Sequence, residues 1–345
     1  MNYTLLPQTN IQVSEIALGT MTFGQQNTES EGHSQIDFAL EAGINFIDTA
    51  EMYSVPSMQE TSGSTEKIIG SWFKNSGKRD QIILATKIAG PNRGLEFLRD
   101  DLSFNAETIK IAGEKSLLRL QTDYIDLYQL HWPERKTNYF GQRSFSLEHD
   151  IWEDNVNAVL VTMQNLIKEG KIKHIGLSNE TPWGVMRFLE ESKKYNLPRI
   201  STIQNPYSLL NRSFEQSLAE IAHYENVGLL AYSPLAFGIL SGKFLTGESH
   251  PNARIKLFPR FSRYNSENAT KATMLYNQIA KDNGLTLTQM ALAFIRQQFF
   301  VTSTIIGATS LEQLKENIQT QKVTLTQIVI DEINQVQELY RNPSP

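Results

Sequence analysis

Glu15-Ile16-Ala17-Leu18-Gly19-Thr20-Met21-Thr22-Phe23-Gly24 is the stretch on which the fold turns. Its first half reads as an apolar strand, Glu15–Gly19, that runs straight into a loop. A doubly wound open sheet usually carries a G-x-G-x-x-G loop after its first strand, where glycines let the backbone approach a pyrophosphate. The loop Gly19–Gly24 lacks that pattern. Working outward, seven further short apolar runs have strand character: Asn45–Thr49, Ile82–Lys87, Tyr124–His131, His174–Ser178, Thr202–Gln204, Gly228–Tyr232 and Ser303–Ile306. They are Ile/Leu-rich on both faces, as strands buried in a parallel sheet are. Helical stretches follow them at Glu31–Ala42, Thr65–Lys74, Ala106–Leu120, Asp154–Glu169, Pro182–Tyr195, Ser213–Tyr224, Glu267–Asn283 and Leu311–Thr320. Eight strand–helix units without the open-sheet loop predict an α/β fold of the (β/α)8, or TIM-barrel, kind, formed by residues 1–345 as one domain.

Local chemistry supports these bounds. Thr181 followed by Pro182 is an N-cap with proline at the first helical position. Thr309-x-x-Glu312 reads as a capping box. Gly43, Gly170 and Gly284 lie just past helical runs, where a left-handed glycine ends a helix. Ile68, Ile69, Trp72 and Phe73 make a core-facing stripe. Three stretches exceed a minimal barrel. Met1–Val13 predicts a β-hairpin turning near Pro7–Asn10, Glu134–Asp150 a polar loop, and Gly238–Tyr264 a long loop of the kind that is usually functional inside a compact domain. Helices at Leu287–Gln297 and Thr326–Tyr340 read as additions to the barrel.

With 345 residues, 40% apolar and 20% charged, the chain has the composition of a soluble globular protein that needs no staples. A net charge of −5 argues against non-specific nucleic-acid binding, which needs a basic footprint. Without cysteine, disulfides, thiolate catalysis and Cys-bound zinc are excluded. The six histidines are scattered, with none at ligand spacing, so no metal is expected. The opening Met1-Asn2-Tyr3-Thr4 carries no leader pattern. No apolar run approaches the roughly 18 residues of a membrane span. A cytoplasmic protein with no membrane association is the expectation.

In such a barrel the active site lies at the carboxyl ends of the strands. Strand two ends Asp48-Thr49-Ala50 with Tyr53 just beyond, strand three ends in Lys87, and strand four ends Gln129-Leu130-His131. Each polar residue also has a plain structural reading. Asp48 serves as a strand-end cap, Tyr53 as a loop aromatic, Lys87 as a snorkelling lysine, His131 as a hydrogen-bonded core histidine. Together they strain that reading, because a lysine ending an apolar strand is costly to desolvate unless paired, and Asp48 is the neighbouring carboxylate. A tyrosine titrates near pH 10, and an adjacent ammonium lowers that value. Asp48 would keep Lys87 charged and His131 would position a carbonyl oxygen, so the set suits protonation of a developing alkoxide. A lysine at a strand end also suits imine chemistry.

Asp48, Tyr53, Lys87 and His131 resemble the tetrad of the aldo-keto reductase superfamily. Gly43–Tyr53 is similar to its GI-x-x-x-DTA-x-x-Y signature and Leu117–Leu127 to its SL-x-RL-x-x-DY-x-DL segment. Ile175–Asn179, Gln204–Tyr207 and Ala231–Leu235 are three more matches, so the resemblance spans the chain. Within the superfamily it leans to the bacterial Tas-type branch and, more distantly, to potassium-channel β-subunits. The resemblance implies an NADPH/NADP+-dependent reductase of a small-molecule carbonyl substrate, with Tyr53 as proton donor. It implies, as an alternative, a nucleotide-sensing binding protein with weak reductase activity.

The implied cofactor site is extensive. Tyr232 would carry the nicotinamide, Ser178, Asn179 and Gln204 its carboxamide, with Gly19, Thr20, Met21 and Asp48 alongside. Ser233, Leu235, Ala236 and Gly238 would follow the phosphates. The adenosine end would lie on Gly307, Ala308 and Thr309, whose free N–H groups open a helix suited to phosphate, and on Gln313, Glu316 and Asn317. No basic residue occurs in that segment, so Lys243 and Arg254 of the long loop would supply positive charge. Substrate contacts are expected near Phe23, Glu51–Ser62, Trp132–Phe145 and Phe237, with Trp132 and Phe140 as an apolar wall and Arg135 and Arg143 facing an anionic substrate.

Overall fold

The computed structural model describes residues 1–146, 151–259 and 261–344. Strands β1 (Tyr3–Leu5) and β2 (Gln12–Ser14) pair as an antiparallel hairpin around a turn at residues 7–10, as expected. Eight parallel strands then close on themselves: β3 (Ile16–Gly19), β4 (Phe46–Asp48), β5 (Ile83–Ile88), β6 (Ile125–Leu130), β7 (Ile172–Ser178), β8 (Ile200–Pro206), β9 (Gly228–Tyr232) and β10 (Val301–Ile306). Each pairs with its sequence neighbour, and β10 returns to β3 to complete the ring. The (β/α)8 barrel expected from the alternation is therefore the fold, and each expected strand lies within a few residues of an observed one.

Period two sorts the strand side chains into layers. At the amino ends of the strands the inward positions are Ala17, Phe46, Ala85, Leu127, Leu230 and Ile305. They pack with Leu6 and Val13 of the hairpin, so β1–β2 plugs the amino mouth of the barrel. Two residues further along, the same faces present Gly19, Asp48, Lys87, Gln129, Tyr232 and Gly307. An apolar floor thus lies under a polar layer, which opens toward the carboxyl ends of the strands.

The helices wrap this ring with the larger cluster of buried side chains between them and the strands. Ile68, Ile69, Trp72 and Phe73 face inward, as their spacing predicts. Thr181 caps Pro182–Tyr195 by accepting from the Gly184 N–H. Gly43, Gly170 and Gly284 each take a positive φ just past a helix. Three details differ from the sequence reading. The cap at Leu311–Gln319 is Ser310 rather than Thr309, because the Ser310 hydroxyl accepts from Gln313 N–H while the Gln313 side chain turns back onto Thr309. The helix expected over Ser213–Tyr224 breaks into a 3-10 turn, Ser213–Gln216, and a helix, Leu218–Glu225, because Ser217 departs to φ −145°. The two helices before β10 also exchange roles. Leu287–Arg296, expected as an addition, packs on β10 with nearly every residue buried, whereas Glu267–Asp282 lies outside it against Gln327–Leu339.

The Gly238–Tyr264 segment holds short helical turns at Lys243–Leu245 and Arg254–Leu257. Residues 147–150 of the expected polar loop and Arg260 of this one lie outside the described residues. Among the described residues, no helix is long and apolar enough to cross a membrane.

Candidate active site

The polar layer is one hydrogen-bonded unit. Lys87 Nζ sits 2.7 Å from Asp48 Oδ2 and 2.7 Å from the Thr49 carbonyl, with its side chain fully buried. The neighbouring strands β4 and β5 deliver the two residues, and the ion pair offsets what burying an ammonium alone would cost. Asp48 Oδ1 accepts from Gln204 Nε2 at 2.8 Å and from Gln129 Nε2 at 3.4 Å. Tyr53 lies above, with Lys87 Nζ 4.9 Å from its ring centroid and the His131 ring edge-on at 5.7 Å. The four residues expected to converge do so.

Their electrostatics differ from the sequence reading in one respect. Burial pushes the Tyr53 phenol well above its ordinary value, the Asp48 carboxylate adds to that push, and Arg254 opposes it. The lowering expected from Lys87 is not what governs this group. Lys87 is itself held below its ordinary value, chiefly by burial, with Asp48 working the other way. Burial, then Lys87 and Arg93, hold the His131 imidazole well below its ordinary value. Its Nδ1 is buried without a hydrogen-bond partner among the described residues. The arrangement is a protonated phenol and a neutral imidazole facing one cleft, with a buried cation beneath the phenol.

That cleft has a volume of about 1320 Å³. Its lining includes Gly19, Thr20, Met21, Asp48, Tyr53, His131, Ser178, Asn179, Gln204 and Tyr232. Ser233, Leu235, Gly238, Lys243, Arg254, Gly307, Ala308, Thr309, Gln313, Glu316 and Asn317 line it as well. Two expected residues do not. Lys87 lies beneath Tyr53, and Ala236 is fully buried in the turn that follows β9. That turn holds Ser233, Ala236, Phe237 and Gly238 at positive φ, which folds the chain tightly over the carboxyl end of β9.

Around Tyr232 the polar groups are already tied together. Tyr232 donates to Asn179 Oδ1 at 2.6 Å, and Asn179 Nδ2 donates to the His131 carbonyl at 2.8 Å and to Ser178 Oγ at 3.1 Å. At the far end the Thr309 N–H is not free, since it donates to the Gln313 side-chain Oε1 at 3.1 Å. Lys243 and Arg254 share the cleft wall. Neither is paired with a carboxylate among the described residues, and each feels burial as its main perturbation, which brings Arg254 down to about 10. Arg254 Nη1 lies 3.6 Å from Met21 Sδ. No hydrogen bond or ion pair among the described residues joins it to residues 307–317.

The substrate side is mixed. Trp132 and Phe140 line the cleft edge-to-face at 6.0 Å, as expected of an apolar wall. Arg143 lines it as well. Arg135 does not, because it is paired with Glu180 and stacked on Trp183. Phe23 is fully buried away from the cleft. Arg93, Arg263, His250 and Thr288 line it without having been singled out from sequence. They stand on loops or on the displaced helix, where no periodic signal marks them. Gln129 was also passed over, although its spacing of two from His131 places both on one face.

An unpaired pair of cations beside a tyrosine–histidine–lysine–aspartate cluster fits a polyanionic nucleotide whose reactive end reaches Tyr53. Comparison with known proteins places the chain in a family. The sequence profile of the Aldo/keto reductase family matches residues 15–338. The chain is 49% identical to the protein tas of Escherichia coli K12, with all of both chains covered. It is 36% identical to an aldo-keto reductase of Babesia bovis over 76% of this chain and 98% of that one. It is 32% identical to the uncharacterized oxidoreductase YrpG of Bacillus subtilis 168 over 97% and 96%. A barrel whose carboxyl rim gathers this tetrad, matched along nearly its whole length, belongs to the aldo/keto reductase family of carbonyl oxidoreductases, which generally use NAD(P)H.

Proposed function

We propose that this chain, acting as a single domain, is an NADPH-dependent cytoplasmic reductase that converts aldehydes or ketones to alcohols with Tyr53 as proton donor. The observation that carries the reading is the buried Lys87–Asp48 pair set directly beneath Tyr53, with His131 at its edge. A dihydronicotinamide held beside Tyr53 by Tyr232, Ser178, Asn179 and Gln204 would supply hydride chemistry at the carbonyl carbon. Tyr53, kept protonated by burial, gives its phenolic proton to the carbonyl oxygen as negative charge develops there. Lys87 stabilises the phenolate that remains, and Asp48 keeps Lys87 charged and in place. Neutral His131 hydrogen-bonds the carbonyl oxygen and orients it.

Tyr232, Ser178, Asn179 and Gln204 would hold the nicotinamide end, with Gly19, Thr20 and Met21 beside it. Ser233, Leu235, Ala236 and Gly238 form the turn over the phosphates, where Lys243 and Arg254 supply the charge. Gly307, Ala308, Thr309, Gln313, Glu316 and Asn317 would take the adenosine end. Imine chemistry at Lys87 is disfavoured, because its amine is spent on Asp48 and Thr49 and does not face the cleft.

A panel of aldehydes and ketones, followed by the loss of NADPH absorbance, tests the reading. Tyr53→Phe should abolish turnover of any active substrate and leave NADPH binding in place, since only the proton is lost. A variant that keeps most of its kcat removes Tyr53 as the acid.

A further inference from the structure

Gln129 stands two residues before His131, and the proposed proton transfer gives it no task. We infer that Gln129 is a positioning residue that, together with Asp48, holds both N–H groups of the Gln204 side-chain amide away from the cleft, and so makes the site select a pyridine carboxamide over a pyridine carboxylate. The inference rests on the nucleotide reading just given.

Asp48 is the reference for the arrangement. A carboxylate only accepts hydrogen bonds, so every group turned toward it is a donor. Lys87 takes Oδ2. Oδ1 receives the amide nitrogens of both Gln204, at 2.8 Å, and Gln129, at 3.4 Å. With its nitrogen turned to Asp48, Gln129 presents its carbonyl oxygen on the other side, where it accepts from Gln204 Nε2 at 3.2 Å. Both N–H groups of Gln204 are thereby spent on buried acceptors. What Gln204 has left for the cleft that it lines is its carbonyl oxygen.

Asn179 is locked in the same sense. Its nitrogen donates to the His131 carbonyl and to Ser178 Oγ, which leaves Oδ1, shared with the Tyr232 hydroxyl, as its free side. The wall therefore offers two amide carbonyls. A carboxamide NH2 has two donors to meet them; a carboxylate has none and would face acceptors only. The backbone makes room for the lock. Gln129 on β6 reaches Gln204 on β8 across Gly176 on β7, and a Cβ at Gly176 would stand 3.3 Å from Gln129 Cγ.

Calorimetric titration of the full-length protein with NADP+, with nicotinic acid adenine dinucleotide phosphate and with 2′,5′-ADP tests this. The wild type should bind the amide nucleotide more tightly than the acid. Gln129→Leu removes the acceptor of one Gln204 N–H, which is then free for the cleft while Asp48 keeps the other, so the ratio of the two affinities should shrink roughly tenfold, about the worth of one oriented hydrogen bond. Affinity for 2′,5′-ADP, which lacks the pyridine, should not change. Should the leucine variant fail to fold, Gln129→Met fills the same volume and carries the same expectation. An unaltered ratio in a variant that still binds 2′,5′-ADP overturns the inference, as does a wild type indifferent to amide and acid. A wild type that binds none of the three overturns the nucleotide reading itself, and the inference with it.

Discussion

His131 is a base buried next to a cation, and its protonation carries a definite sign. Its imidazole is held well below the ordinary value near 6.5 in the folded chain, whereas the unfolded chain titrates normally. Between those two values the unfolded state binds the extra proton, so folding stability falls as pH drops below about 6.5 and is unaffected above it. Against His131→Gln, the wild type should lose stability by up to about 1.4 kcal/mol per pH unit in that acid window. Denaturant unfolding of both proteins from pH 5 to 8 checks this; parallel curves across the window would place the imidazole in water. Arg254 yields a second expectation at this scale. Arg254 is a cleft cation with no carboxylate partner among the described residues, so Arg254→Ala should weaken NADPH binding by about 10- to 150-fold, the loss of one charge-assisted partner. Its place beside Met21, away from any contact with residues 307–317, favours an equal loss for NADH, which assigns the guanidinium to the pyrophosphate. A loss confined to NADPH in fluorescence titrations would assign it to the 2′-phosphate instead. The tetrad was legible in sequence because strand ends fix where Asp48, Lys87 and His131 point. Arg254 was only half legible, because a loop residue has no period to say which part of the cleft it faces.

At the scale of the element, the end of β4 and the loop that carries Tyr53 are tied to β5 by one carboxylate. Glu51 Oε1 accepts from the Ala89 N–H at 2.6 Å, and both its oxygens lie 2.9 Å from Arg99 Nη1. Arg99 in turn donates to the Ala89 carbonyl at 2.8 Å. Burial raises the Glu51 carboxyl above its ordinary range while Arg99 pulls it back. Removing the guanidinium leaves a buried charge alone, so Arg99→Ala should cost about 3–5 kcal/mol of stability. Denaturant unfolding should show a fall of that size; a loss below about 1 kcal/mol would mean that water reaches Glu51. This tie was not visible in sequence, since Glu51 and Arg99 sit 48 residues apart with nothing in their spacing to link them. The exchange of roles between the helices before β10 was hidden for a different reason. Glu267–Asp282 and Leu287–Arg296 both carry apolar stripes, and only the near absence of charge in Leu287-Thr288-Gln289-Met290-Ala291-Leu292-Ala293-Phe294-Ile295 separates the covered helix from the outer one.

Over the whole molecule the barrel is plugged by the hairpin at one end and opens into the cleft at the other. Leu6 of the hairpin is fully buried against the inward residues of the strands, so Leu6→Ala should cost about 2–5 kcal/mol through a cavity in the floor. The polar layer lies above that floor, so the affinity for NADPH should stay near that of the wild type. A variant that loses nucleotide binding while remaining folded would show that the two layers are mechanically coupled. The ring also has a seam. Strand β10, at residues 301–306, is what joins β3, at residues 16–19, and Thr304 pairs with Ile16 across it. Contacts between parts of a chain so far apart form late, because the loop between them must be closed first. During synthesis the Tyr53, Lys87 and His131 segments leave the ribosome long before the strand that completes their ring. A nascent chain stalled before residue 301 would hold every residue of the proposed catalytic tetrad and an unclosed sheet with two exposed edges, the state in which a strand-rich chain is most open to aggregation and to chaperones.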